Sequence, residues 1–198
     1  RMGKKWSDID HVPAFWPDNA QTRGDMLDYS IEVEHYDTHL GRILAHLEKT
    51  GQLDNTLIVA TSDHGMPFPR CKGQAYDYSN HIPLAIRWPR GIKGRNRTVE
   101  DFVNFTDLAP TFLQAAGVKQ IAPIMQPMSG RSLFDIFASN KSGQVIASRD
   151  HVLLGKERHA GDIKAAWDLQ FGVRPQDRID RFLVRVGIGG HGIGHGIG

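Results

Sequence analysis

The apolar positions change period along the chain, and each change marks a predicted element. From Met26 to Leu47, the residues Leu27, Ile31, Leu40, Ile43, Leu44 and Leu47 recur at helical spacing. Thr22 is placed to cap this helix, and Asp25 falls in the first turn, where a carboxylate meets the positive end of the dipole. Gly51 closes it. The pattern then becomes continuous: Thr56-Leu57-Ile58-Val59-Ala60-Thr61 is apolar and β-branched, which predicts a strand buried on both faces of a parallel sheet. Ile82 to Trp88 predicts a second strand. Val99 to Phe105 predicts a third, feeding a helix that is capped by Thr106, tolerates Pro110 in its first turn and runs to Gly117. A short helix around Leu133 to Phe137 and a strand from His151 to Leu154 follow. Alternating strands and helices predict an α/β fold.

Between these elements lie an irregular opening from Ser7 to Asn19, a loop from Met66 to Asn80 and a basic turn from Gly91 to Arg97. Loops of about 15 residues tend to be functional. The end of the chain changes character. Gly187 to Gly198 has almost no side chains to pack, and ordering so many glycines costs entropy that such a composition does not offset. It reads as a low-complexity tail, in which His191 and His195 are at most a compositional hint of metal binding.

Composition narrows the field without choosing within it. With 198 residues, 40% of them hydrophobic and 23% charged, the chain has the make-up of an ordinary globular protein. A net charge of +2 gives no electrostatic case for nucleic acid or an anionic membrane surface. No apolar run approaches the roughly 20 residues that span a bilayer, and no signal-peptide h-region follows the opening basic residues. The single cysteine, Cys71, rules out an intrachain disulfide.

The polar residues that matter stand where the first strand ends. In open α/β sheets, ligands bind at the carboxyl ends of strands, and Asp63-His64-Gly65 sits there. Asp63 offers hard oxygen to a divalent cation, His64 offers nitrogen, and Gly65 lets the chain turn. Asp63 capping the next turn, with His64 an ordinary surface histidine, explains the tripeptide equally well. Two ligands do not complete a site. The carboxylates Asp25, Asp28, Glu32, Glu34 and Asp37 read as the solvated face of the long helix rather than as the missing partners.

Thr61-Ser62-Asp63-His64-Gly65-Met66-Pro67-Phe68-Pro69 resembles the corresponding stretch of the type I sulfatases, most closely the heparan N-sulfatase (sulfamidase) branch. Val12-Pro13 to Asp18, the helix with Asp37 and Gly41, and Leu53-Asp54-Asn55-Thr56 are similar to that family too. So are Asn80-His81-Ile82-Pro83-Leu84, Thr106-Asp107-Leu108-Ala109-Pro110-Thr111 and Gly130-Arg131-Ser132-Leu133, and the likeness extends over about residues 10 to 159. It implies the C-terminal part of an alkaline-phosphatase-like sulfatase fold, with a mostly parallel sheet flanked by helices. The implied organisation is residues 1–137 in the α/β domain, 138–186 in a partial or divergent smaller subdomain, and 187–198 in the Gly-rich tail. Beyond His159 the likeness ends, and residues 160–198 read as a divergent or frame-shifted end.

The resemblance also implies a chemistry. Asp63 and His64 would complete a calcium site begun by two N-terminal aspartates; His64 departs from the sulfamidase pattern, which has Asn there, but stays within the wider family. Lys72 would contact the substrate sulfate, with Arg70 as competitor, since an ammonium suits a tetrahedral oxyanion as a point charge. His81 reads as a structural histidine, and His159 as either a sugar contact or a loop residue. The family nucleophile is a formylglycine made from Cys or Ser in Cys/Ser-x-Pro/Ala-x-Arg. Cys71-Lys72-Gly73-Gln74-Ala75 fails that pattern, so no catalytic residue is assigned and the formylglycine is expected in a missing N-terminal part.

The leading expectation is therefore a part of a hydrolase of sulfate esters or sulfamates, acting on a sulfated glycan or small sulfate ester, and inactive alone. By resemblance it is secreted, periplasmic or lysosome-like. A zinc phosphoesterase of the alkaline phosphatase superfamily and a catalytically inactive fragment are the alternatives.

Overall fold

The computed structural model describes residues 3–118 and 127–154. Contacts divide them into two units, one ending at Thr56 and one beginning at Leu57.

The first unit is dominated by α1 (Ala20–Lys49). It begins earlier than the periodicity predicts, and Thr22 is not its cap. The Asn19 side chain accepts from the Thr22 amide at 2.9 Å, because a short amide side chain reaches the third free N–H of a helix and Ala20 already favours the helical state. Asp25 is thereby moved out of the first turn and receives the Gln21 side chain at 2.8 Å. The far end follows expectation. Gly51 adopts φ +68°, its amide donates to Glu48 at 3.0 Å, and Gln52 donates to Leu47 at 2.9 Å. This paired closure satisfies two of the last free carbonyls.

The irregular opening is tied to the start of α1 by one side chain. Arg23 donates to the Ile9 carbonyl at 2.7 Å and to the Asp18 carboxylate at 2.8 Å. Ile9, Pro13, Met26 and Leu27 are buried around that clasp. Farther along, Glu34 pairs with Lys4. Asp25, Asp28, Glu32 and Glu34 are exposed and Asp37 is half-buried, so these carboxylates form the polar face predicted for them.

The second unit holds a two-stranded sheet, β1 (Ile58–Thr61) with β2 (Leu84–Arg87). The pairing is antiparallel, with Ile58 opposite Arg87, Val59 opposite Ile86, Ala60 opposite Ala85 and Thr61 opposite Leu84. The expectation of a parallel sheet is therefore not met among the described residues. A continuous apolar run reports burial, not strand direction, and these strands are joined by the 62–83 connection rather than by a crossover helix. Burial is also less than predicted, since all four residues of β1 are only partly covered. Side chains alternate across the pleat: Leu84 and Ile86 are buried, with Val59 packed on the same core. Ile58, Ala60 and Ala85 lie at the other register positions and are half-buried.

Val99, Val103, Leu133, Ile136 and Phe137 complete that core. Two segments predicted as strands do not form them. Val99 to Phe105 contributes only an isolated bridge from Val99 to Gly143, and residues 151–154 are not paired in a sheet among the described residues. Asp101 explains the first case. It is fully buried, and its two carboxylate oxygens take the Val145 and Ile146 amides at 2.6 Å each. A side chain thus bonds the amides that a strand ladder would use. Arg97 is likewise buried, donating to the Ile136 and Lys141 carbonyls at 2.9 and 2.6 Å. Burial pushes its pKa down, and the Asp101 charge opposes that shift.

Two further helices close the unit, α3 (Leu108–Ala115) and α4 (Phe134–Phe137); the four-residue α2 (Asp77–Asn80) lies in the connection between the strands. Asn104, not Thr106, caps the turn that leads into α3: its side chain accepts from Thr106 at 3.0 Å, and Asp107 returns the contact to the Asn104 amide at 3.2 Å. Pro110 sits in the first turn of α3, as predicted.

Candidate metal and sulfate site

The end of β1 is fixed before any ligand is considered. The Thr61 hydroxyl donates to the Pro83 carbonyl at 2.7 Å, and the Ser62 hydroxyl to the His64 carbonyl at 2.6 Å. Gly65 then passes against the backbone of the returning chain, donating to Ser79 at 3.3 Å. A β-carbon on Gly65 would stand 1.9 Å from the Tyr78 carbonyl oxygen and 2.4 Å from that of Cys71. Its φ is not positive. Glycine is required here for close approach rather than for the sharp turn that the sequence suggested.

Against that fixed backbone, Asp63 and His64 converge. His64 Nε2 lies 3.3 Å from Asp63 Oδ2. On the other side of the ring, Nδ1 faces the Gly65 carbonyl at 2.7 Å. A carbonyl only accepts, so Nδ1 carries a proton, and Nε2 is the nitrogen turned toward the carboxylate. This is how ligating histidines are oriented, with the far nitrogen donating to a fixed acceptor. Asp63 is largely exposed, with 84% of its side chain accessible, against 31% for His64. One hard oxygen donor and one imidazole suit a divalent cation, but among the described residues no group of three or more acidic, His or Cys side chains gathers to complete a site.

Asp63 also lies at the margin of a cleft of ≈ 150 Å³ whose lining includes Asn80, Leu84, Asn104, Phe105 and Val152. Sequence reading missed Asn80 and Asn104. Asn80 opens the Asn80–Leu84 segment that the resemblance picks out and Asn104 lies just before the Thr106–Thr111 segment, but nothing local brings either to Asp63.

The other predicted residues separate. Lys72 is exposed, does not line that cleft, and has no partner among the described residues. Arg70, its competitor, adopts φ +69° and lies over the Tyr76 ring at 5.7 Å. His81 Nδ1 lies 3.6 Å from the Asp77 carboxylate, with both side chains exposed. Cys71 is fully buried, and burial pushes its thiol pKa up. His159, His191 and His195 lie outside the described residues.

The segments that flank this site recur in known proteins. The sulfatase family model matches residues 10–118, more than half of the chain. The chain belongs to the sulfatase family. With membership comes the α/β, alkaline-phosphatase-like fold class. An N-acetylglucosamine-6-O-sulfatase of Bacteroides thetaiotaomicron is 42% identical over 98 residues, covering 48% of this chain and 17% of the relative. The N-sulphoglucosamine sulphohydrolase of Homo sapiens is 33% identical over 102 residues, covering 52% of this chain and 20% of that protein. An ulvan-active sulfatase of Formosa agariphila is 28% identical over 140 residues, covering 71% of this chain and 23% of its own length. This sulfatase chain thus spans about a fifth of the length of the curated relatives it matches.

Proposed function

We propose that this chain supplies one side of the metal and sulfate site of a formylglycine-dependent sulfatase, which cleaves a sulfate ester or sulfamate on a sulfated glycan. The carrying observation is the 3.3 Å approach of His64 Nε2 to the Asp63 carboxylate at the end of β1. Asp63 and His64 would hold a calcium ion together with carboxylates from elsewhere in the enzyme, and the ion when bound supplies Lewis-acid polarisation of the sulfate. The Nδ1 contact to Gly65 holds the imidazole in the ligating tautomer. Lys72, an exposed ammonium on the 66–76 loop, would meet the sulfate oxygens and stabilise the charge that builds on them. A glycan substrate is supported by the names of the relatives, which refer to glucosamine-linked sulfate and to ulvan. Action outside the cytosol is part of the same reading. No helix among the described residues is long and apolar enough to cross a membrane.

The nucleophile is expected from another part of the enzyme, so the isolated chain turns over no sulfate ester. Calcium titration of the chain, followed by the Asp63 carboxylate resonance, should show weak binding, on the order of millimolar for so few donors. Asp63→Asn should abolish it, and Lys72→Ala should leave it intact while weakening retention of a sulfated monosaccharide. Calcium binding unchanged by Asp63→Asn, or turnover that depends on Asp63, would overturn the proposal.

A further inference from the structure

A second pair of donors, distant in sequence from Asp63 and His64, lies on α1. We propose that His35 and His39 form a bidentate site for a borderline divalent transition ion, with zinc the ion of choice.

The spacing of four puts both rings on one face of the helix, the arrangement by which two histidines on a helix ligate zinc. Both residues are exposed. Their Nε2 atoms face each other at 3.1 Å, while the ring centroids are 4.5 Å apart and the planes meet at 72°. The nitrogen edges are therefore closer than the rings behind them, within reach of one ion. A zinc–imidazole bond is about 2.0–2.1 Å. Two such bonds to nitrogens 3.1 Å apart enclose an angle of about 98° at the metal, between the octahedral and tetrahedral values. Without a metal, the contact holds at most one shared proton; a cation uses both lone pairs. Imidazole nitrogen suits zinc, nickel or copper, and two imidazoles offer a hard ion such as calcium no oxygen donor, whereas the pair at Asp63 does. Water would fill the remaining positions.

The test is a titration of the full chain with zinc ions alone, followed by the imidazole nitrogen resonances. His191 and His195 share the same spacing, so the experiment is run in a His191→Ala, His195→Ala background. The Nε2 signals of His35 and His39 should move together, and excess calcium should not reverse the change. His35→Gln and His39→Gln should each weaken zinc binding by about tenfold or more, because one ligand no longer holds the ion beside the other. Glutamine is a good helix former, and unchanged helical circular dichroism would show that α1 survives. The proposal falls if the two signals fail to move together at millimolar zinc, or if either single variant binds zinc as tightly as its parent. Neither result bears on calcium at Asp63, which has its own variant and readout.

Discussion

Arg149 donates from all three nitrogens of its guanidinium. It reaches Asp107 at 2.9 Å, Asp135 at 3.1 Å and the carbonyls of Arg131 and Ser132 at 3.0 and 2.9 Å, with 4% of its side chain exposed. Arg149→Met would leave the Asp107 charge buried without its partner, and should cost about 3–5 kcal/mol in urea unfolding. The motifs containing Asp107 and Arg131 were legible as family-like sequence, but their role was not. The partner of Asp107 lies 42 positions away and has no local signature. Asp18 gives a pH dependence of known sign. The Arg23 hydrogen bond, with the nearby positive charge, holds its carboxyl below the ordinary range although the pair is exposed. A carboxyl lowered on folding contributes stability above its unfolded pKa, and loses that contribution as pH falls through the lower folded value. Carboxyl titration by NMR should show Asp18 rising toward its ordinary pKa in Arg23→Gln.

Among the elements, those with a chemical stop signal were read well and those defined by long-range pairing were not. Gly51 announced the end of α1 because a left-handed residue there is a local requirement. The direction of β1 was not readable, since its partner β2 is reached only through the 62–83 connection. The strand predicted over Val99–Phe105 gave way to Asp101, a buried carboxylate that binds amides 44 and 45 residues on. The Asp63-His64-Gly65 position was legible from the apolar run before it, whereas the reason for the glycine was not. Gly65→Ala tests that reason. The added methyl has backbone, not a movable side chain, in its way. The expected outcome is a loss of at least about 2 kcal/mol in thermal or urea unfolding, together with a shift of the His64 ring resonances as the loop is pushed back. A glycine chosen only for chain flexibility would give neither.

At the scale of the molecule, family and fold class were legible because the resemblance runs through many short segments in order. The proposed metal site was legible only as Asp63 and His64, because among the described residues no third acidic, His or Cys side chain gathers beside them. The same joint that buries Arg149 has a wider reach. On one side of residues 119–126, Asp107 and Thr111 accept the Arg131 and Leu133 amides from the other side at 2.8 and 2.9 Å. Gly130 sits so close that a β-carbon would stand 1.9 Å from the Thr106 carbonyl. The two flanks are thus fastened to each other independently of the peptide that joins them. Doubling the length of such a connection costs only about 0.6 kcal/mol in closure entropy. A glycine–serine insertion of eight residues after Ile121 should therefore lower the melting temperature by no more than a few degrees, and a protease nick at that insertion should yield two pieces that co-elute in native buffer and part only in denaturant. That outcome would show the side-chain contacts between the flanks, rather than the peptide across 119–126, holding them together.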